Sequence, residues 1–213
     1  MRSKIFTRTV GYWPLQEASG NALDYSGREH HGSLSVGVTQ DVSGPLGESA
    51  YEFDGQDGRV YSSAPNWNGS HTVSIWLKTD NIQNSYFSTT DDYTVSNSLQ
   101  LYYNGSNLVL NEVSNTRLRW NNVNGAGWVN IVWKVGPNGA KAYRNGELLD
   151  TSSNLTSGQF NAYKICENRN GGSYGRGKLA HVRVWDYPLP EASIKALYNA
   201  SRGGFSQSDV RGL

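Results

Sequence analysis

Apolar and polar residues alternate along most of the chain that precedes residue 190. In residues 72–79 (TVSIWLKT), Val73, Ile75 and Leu77 share one side of an extended chain, and Trp76 lies among polar residues on the other side. The same period of two recurs at residues 98–103, 117–120 and 129–135, where it predicts an inward side made of Leu99, Leu101, Leu118, Ile131 and Val135. Because this pattern is typical of strands with one buried face, we predict an all-β protein of about twelve strands.

Glycine- and asparagine-rich turns separate the predicted strands, at residues 55–58 (GQDG), 104–107 (NGSN), 136–139 (GPNG) and 145–146 (NG). Such turns join neighbouring antiparallel strands into hairpins. They recur every 8 to 12 residues or so, which is typical of a two-sheet sandwich. The sequence contains no recognisable linker, so we predict one domain over residues 11–200, an N-terminal arm at 1–10 and a C-terminal tail at 201–213.

The segment 178–199 (KLAHVRVWDYPLPEASIKALYN) predicts how the domain closes. It begins as a strand, turns at Pro188, and continues as a short helix near Glu191. Ile194, Leu197 and Tyr198 form one apolar stripe on this helix. A helix of this length is not stable alone in water, so we expect it to dock on the sheets, with the last strand beside the first.

Composition narrows the classes of partner. The 213 residues include 13 tyrosines and 7 tryptophans and carry a net charge of +1, which gives no electrostatic reason to expect nucleic acid or an anionic membrane as a partner. The sequence contains no apolar run of transmembrane length and no secretory leader that we recognise. We therefore expect a protein that works inside the cell that makes it, or one that leaves by another route, such as assembly into a virus particle.

Five segments together resemble the laminin-G-like jelly-roll modules of the concanavalin A-like lectin/glucanase superfamily. They are residues 11–34 (GYWPLQEASGNALDYSGREHHGSL), 49–61 (SAYEFDGQDGRVY), 71–80 (HTVSIWLKTD), 128–152 (WVNIVWKVGPNGAKAYRNGELLDTS) and the closing segment 178–199. The resemblance implies a two-sheet antiparallel jelly-roll sandwich with one concave sheet and a short C-terminal helix. It also implies glycan or protein binding, because most members of this superfamily are binding or adhesion modules and some are glycan hydrolases.

Hydrolase relatives carry a Glu-x-Asp-x-x-Glu run on one strand, so that two carboxylates flank the glycosidic bond. The nearest approach here is Glu52-Phe53-Asp54-Gly55-Gln56-Asp57, whose last carboxylate follows a predicted turn and therefore leaves the strand alternation. We predict that the protein is not an enzyme. A glycan hydrolase remains an alternative.

Calcium is the cofactor that the resemblance suggests, with Asp24 as the matching ligand. The alternative is that Asp24 organises an Asx-turn within its loop. Relatives often carry an acidic pair where this chain has Ala180-His181, and this departure weakens the case for a metal ion.

A ligand-binding face is predicted from the outward side of the alternating strands. It comprises Trp76, Tyr102, Arg117, Arg119 and Asn130, with Trp67 in a polar loop as a further candidate. Aromatic rings stack on the apolar faces of sugars, and amides and cations bind hydroxyls. Two alternatives stay open, because the strands could present an ordinary solvated sheet face and Trp76 also matches a scaffold position of the family.

The resulting hypothesis is a non-catalytic glycan-binding or adhesion module, acting at a virion or extracellular surface as a spike, fibre or decoration protein. Its partner would be a surface glycan or glycoprotein. Residues 1–10 and 201–213 would contact a capsid or tail protein or mediate self-association, with simple disorder as the alternative. A second hypothesis is a purely structural assembly protein that uses the lectin fold without binding sugar.

Overall fold

The computed structural model describes residues 8–79, 84–89, 98–112, 115–121, 123, 127–154 and 159–202, with the backbone alone at residues 64–68, 159–161 and 202. The described part of the chain contains fifteen strands and one helix. In chain order they are β1 (Thr9–Trp13), β2 (Ser33–Leu34), β3 (Val38–Ser43), β4 (Ser49–Asp54), β5 (Val60–Asn68), β6 (His71–Thr79), β7 (Ser85–Ser88), β8 (Leu99–Tyr103), β9 (Leu108–Glu112), β10 (Asn115–Trp120), β11 (Val129–Gly136), β12 (Gly139–Arg144), β13 (Glu147–Ser152), β14 (Gln159–Ile165), β15 (Arg176–Trp185) and α1 (Glu191–Arg202).

The larger sheet has eight strands in the order β13-β12-β11-β6-β15-β4-β3, with β1 paired to β15 outside this path. One edge of β15 pairs with β6, and its other edge pairs first with β4 and then with β1. A bulge between Ala180 and Arg183 marks this change of partner, and His181 within it has a positive φ of 50°. The prediction that the closing strand returns beside the first strand is confirmed, although β1 already begins at Thr9, inside the predicted arm.

The smaller sheet has seven strands in the order β10-β9-β8-β7-β14-β5-β2. All pairings in both sheets are antiparallel, which confirms the predicted two-sheet antiparallel jelly-roll sandwich. The core lies between the sheets, and the strand residues predicted to face inward all belong to it: Val73, Ile75, Leu77, Leu99, Leu101, Leu118, Ile131 and Val135. Trp133 packs at its centre, edge-on to Phe87 with 5.5 Å between ring centroids.

Helix α1 covers the outer face of the eight-stranded sheet. Its predicted apolar stripe points to the sheet: Ile194 and Leu197 join Val132 and Trp185 in one buried cluster. Tyr198 packs on a second cluster that contains Trp76. The main-chain carbonyl of Pro190 accepts hydrogen bonds from the N–H groups of Ser193 and Ile194, which starts the helix. No helix in the described part of the chain has the length and apolar character needed to cross a bilayer.

Candidate functional site: the outer face of the seven-stranded sheet

The residues predicted to form one binding face lie on two different sheets. Trp76 and Asn130 are neighbours on β6 and β11 of the eight-stranded sheet. Tyr102 is on β8 and Arg117 and Arg119 are on β10 of the seven-stranded sheet. The backbone of Trp67 belongs to β5 rather than to a loop, paired with Phe160, and its side chain lies outside the described part of the structure. The single face expected from the alternation is therefore divided.

Trp76 and Asn130 are buried, contrary to the expectation that alternation exposes them. The indole of Trp76 is 6% exposed and stacks on Tyr198 of α1, with 5.8 Å between ring centroids. Asn130 is 2% exposed, and its Nδ2 donates to Ser74 Oγ at 3.1 Å. The physical reason is α1, which occupies the outer face that strand alternation alone would leave to solvent. Neither side chain is available to a ligand in this arrangement.

The strand register places Tyr102 and Arg119 on the same outer face of the seven-stranded sheet. Tyr102 is opposite Val109 on β9, and Val109 is opposite Arg119 on β10. A second row runs parallel to the first, with Gln100, Asn111 and Thr116 opposite one another. Because neighbouring strands are about 4.8 Å apart, the two rows span roughly 10 Å from β8 to β10. We call these six residues the β8–β10 face.

The polar groups of the β8–β10 face have defined orientations. Asn111 is 8% exposed, and its Nδ2 donates to the Tyr102 hydroxyl oxygen at 3.4 Å. Because this oxygen accepts the hydrogen bond, the phenolic proton of Tyr102 stays available for another acceptor. Gln100, Tyr102 and Thr116 are partly exposed and Arg119 is exposed. The face therefore offers one ring, one amide, one hydroxyl and one cation to solvent.

The two arginines of β10 differ in their surroundings. Arg117 lies at a bulge between Thr116 and Leu118, and its Nη2 is 2.9 Å from Glu112 Oε2. Its Nε donates to the same oxygen at 3.0 Å, so its charge is already neutralised at the sheet edge. Arg119 has its main-chain N–H bonded to Asp150, and its guanidinium makes no ion pair with the described residues. Arg119 is thus the better placed of the two for a ligand.

The middle of the same sheet, at β7 and β14, is covered. Lys164 on β14 is buried and donates to the main-chain oxygen of Arg169 at 3.2 Å. The Ser88 hydroxyl donates to the main-chain oxygen of Glu167 at 2.9 Å. Residues 167–169 therefore lie over β7 and β14, so the β8–β10 face is bounded by this cover at β7.

Asn111 was not among the residues predicted from sequence. Residues 109 and 111 are two apart in the strand 108–112 (LVLNE), so Asn111 lies on the same outward side as Val109. Val109, however, is apolar and completely buried. The alternation of polar and apolar residues is therefore lost in this strand, and only the register with β8 reveals the position of Asn111.

Asp24 organises its own loop. Its Oδ1 accepts hydrogen bonds from the N–H groups of Tyr12 and Ser26, both at 2.8 Å. Its Oδ2 accepts from the Ser26 hydroxyl at 2.7 Å and from the His30 N–H at 3.0 Å. Calcium needs six to eight oxygen ligands, and here both carboxylate oxygens are engaged by protein donors. Because protein N–H and O–H groups already bond both oxygens, the carboxylate of Asp24 does not fit a calcium ligand. No group of three or more His, Cys, Asp or Glu side chains suited to a metal ion occurs among the described residues.

The carboxylates that approach the hydrolase pattern have structural partners. Glu52 lies 3.6 Å from the ammonium of Lys178 on the neighbouring strand. Asp54 Oδ1 accepts hydrogen bonds from the N–H groups of Gln56, Asp57 and Gly58, which builds the turn after β4. Burial alone would raise the pKa of Asp54, but these N–H donors outweigh it and lower the pKa. Asp54 is therefore a turn residue that stays ionised.

The chain belongs to the concanavalin A-like lectin/glucanases superfamily, whose laminin G-like family model matches residues 54–195. A search of curated protein sequences finds no significant match.

Solved structures with the same fold include binding domains of toxins and one domain of an arabinanase. The binding domain of Paraclostridial Mosquitocidal Protein 1 is 15% identical, with a TM-score of 0.72 over 93% of this chain and 53% of that one. The ligand-binding domain of botulinum neurotoxin serotype D, solved with N-acetylneuraminic acid, is 15% identical, with a TM-score of 0.66 over 92% and 51%. Domain 4 of AbnA, an extracellular GH43 arabinanase from Geobacillus stearothermophilus solved with arabinotriose, is 16% identical, with a TM-score of 0.68 over 90% and 98%.

The chain thus spans about half the length of the two toxin binding domains and nearly all of the arabinanase domain. At these identities the likeness shows the fold alone.

Proposed function

We propose that this protein is a non-catalytic glycan-binding module that holds its ligand on the β8–β10 face. The observation that carries the proposal is the register that places Tyr102 and Arg119 on either side of Val109, on an outer sheet face where both side chains reach solvent. The superfamily membership and the structural likeness to domains solved with sugars support it.

The chemistry of the face suits a saccharide. The apolar face of a sugar ring stacks on Tyr102, and the phenolic proton of Tyr102 is free to bond a sugar oxygen. Gln100 and Arg119 lie at opposite ends of the face and reach hydroxyls on either side of the ring. The hydrogen bond from Asn111 fixes the Tyr102 hydroxyl in advance, which lowers the entropic cost of binding.

A glycan array followed by calorimetry with the best ligand tests this proposal. Tyr102→Ala and Arg119→Ala are each expected to weaken binding by about fivefold or more, the loss of a contact worth about 1 kcal/mol. Tyr25→Ala and Arg28→Ala are the matched controls, because both side chains are exposed and lie in the loop after β1. Binding that survives both test substitutions would show that the ligand lies elsewhere. A folded protein that binds no glycan would favour the structural assembly protein.

We also propose that the module has no glycan hydrolase activity. The pairing of Glu52 with Lys178 and the use of Asp54 by its turn support this, because a retaining hydrolase needs one free acid and one free nucleophile close together. Assays for reducing-sugar release are expected to give the same background for the wild type and for Glu52→Gln. Release that disappears in Glu52→Gln would establish the enzyme instead.

We further propose a virion or extracellular surface as the setting, with the protein acting in attachment as a spike, fibre or decoration protein. Its near-neutral charge and polar arms agree with an exposed surface role. Of the two predicted attachment segments, residues 1–7 and 203–213 lie outside the described residues. Mass spectrometry and immunogold labelling of purified particles test the setting. Detection only inside cells would contradict it.

A further inference from the structure

A cavity lies beside the start of α1. It has a volume of about 510 Å³, within the range of roughly 300–1,000 Å³ found for small-molecule sites. Three segments form its walls: the turn between β11 and β12, the end of β13 with Ser153, and residues 188–190 ahead of the helix. The first two segments come from the edge of the eight-stranded sheet formed by β11, β12 and β13, and the third connects β15 to α1.

The lining combines apolar rings with hydroxyl groups. Pro137, Pro188 and Pro190 present aliphatic rings, and the hydroxyls come from Thr151, Ser152 and Ser153. Thr151 and Ser153 are exposed, so their hydroxyls are accessible from the cavity. A ligand with one apolar face and several hydroxyls therefore matches these walls, and saccharides have this character.

The cavity carries a positive charge. Lys134 and Lys141 both line it, and their ammonium groups lie 3.8 Å and 2.7 Å from the same oxygen, Oε1 of Glu191. Two cations therefore share one carboxylate, which leaves a net charge of +1. No carboxylate lines the cavity among the residues described. An anionic ligand is favoured over a neutral one.

We propose that this cavity binds a carboxylate-bearing saccharide residue of the uronic acid type. The sugar ring packs on the prolines, its hydroxyls bond the β13 hydroxyls, and its carboxylate bonds the Lys141 ammonium, which is partly exposed. Lys134 is held in place by its hydrogen bond to the main-chain oxygen of Leu189 at 3.1 Å and contributes its charge. Glu191 competes with the ligand for the same lysines. None of the residues that line this cavity belongs to the β8–β10 face.

An NMR titration of the labelled full chain with methyl glucuronide tests the proposal, with methyl glucoside and acetate in parallel. We expect shifts at residues 136–141 and 151–153 with the glucuronide, and weaker or no shifts with the other two compounds. Lys141→Gln should weaken binding two- to fivefold, and Glu191→Gln should strengthen it by a similar factor, the range expected for a partly exposed ion pair. Lys178→Gln is the matched control, because it removes a lysine of the same sheet that pairs with Glu52.

Equal binding of the glucoside would show that charge plays no part, and equal binding of acetate would show that the sugar ring plays none. Weakening by Glu191→Gln would contradict its role as a competitor. The comparison of the three compounds on the wild type decides the question even if a variant does not fold. Shifts confined to β8–β10 would support the proposed function and overturn this second site.

Discussion

The imidazole of His181 joins the last strand to the first, since its Nδ1 lies 3.1 Å from the hydroxyl of Tyr12. Its Nε2 lies 3.1 Å from Glu48 Oε1. A neutral ring with its proton on Nε2 satisfies both contacts, because Tyr12 then donates to Nδ1 and Glu48 accepts from Nε2. At Ala180-His181, where relatives often carry an acidic pair, this chain thus has a partly buried, hydrogen-bonded histidine in the bulge of β15.

This histidine and His71 predict a loss of stability in acid. Burial lowers the pKa of His181 and outweighs the opposing effect of Glu48, and burial lowers the pKa of His71 to about 4. Below pH 6.5 the folded state therefore binds fewer protons than the unfolded state. The two histidines leave the free energy of unfolding unreduced above that pH and lower it as the pH falls towards 4. For His71 the loss is about 2–3 kcal/mol by pH 4.5. Urea unfolding at pH 7.5 to 4.5 measures it.

His71→Gln and His181→Gln should each flatten this pH profile. A free energy of unfolding that stays constant from pH 7.5 to 4.5 in the wild type would contradict the prediction.

Leu197 on α1 should be essential to the stability of the domain. It is buried in the cluster with Val132 and Trp185, so Leu197→Asp places a carboxylate in an apolar contact. We expect the free energy of unfolding to fall by about 3–5 kcal/mol. Ala196→Asp is the matched control, because residue 196 is exposed on the same helix and the change costs less than about 1 kcal/mol. Equal melting of the two variants would show that α1 is peripheral.

Asp24 should stabilise the protein without calcium. Asp24→Ala leaves the buried donors of its loop without an acceptor, and we expect a loss of about 2–4 kcal/mol. Calcium or a chelator should change the Tm of the wild type by less than about 1 °C, since a bound ion that stabilised by 1 kcal/mol would raise it by roughly 2–4 °C. A rise in Tm with calcium that disappears in Asp24→Ala would show a metal site.

The features that could be predicted from the sequence are those that depend on local periodicity. The inward set around Ile75 and the stripe around Leu197 are both confirmed, because each follows from the repeat of its own strand or helix. Alternation distinguishes inside from outside but carries no information on which outer face a distant helix covers. Trp76 was therefore placed on an open face, although its stacking partner Tyr198 was already assigned to the apolar stripe of that helix. The cavity near Glu191 was missed because residues 188–190, which form one of its walls, are far in sequence from residues 134–153, which form the others.

Substitutions of Trp76 and Tyr102 should separate stability from binding. Trp76 is stacked on Tyr198 and nearly buried, so Trp76→Ala is expected to lower the free energy of unfolding by about 3–5 kcal/mol. At a temperature where it is still folded, it should bind the glycan as the wild type does. Tyr102 is partly exposed, so Tyr102→Ala should cost about 1 kcal/mol or less in stability and still lose glycan affinity. Urea unfolding and calorimetry on both variants test this pair of predictions. A folded Trp76→Ala protein with weakened binding would show that the ligand site is on the sheet face that α1 covers.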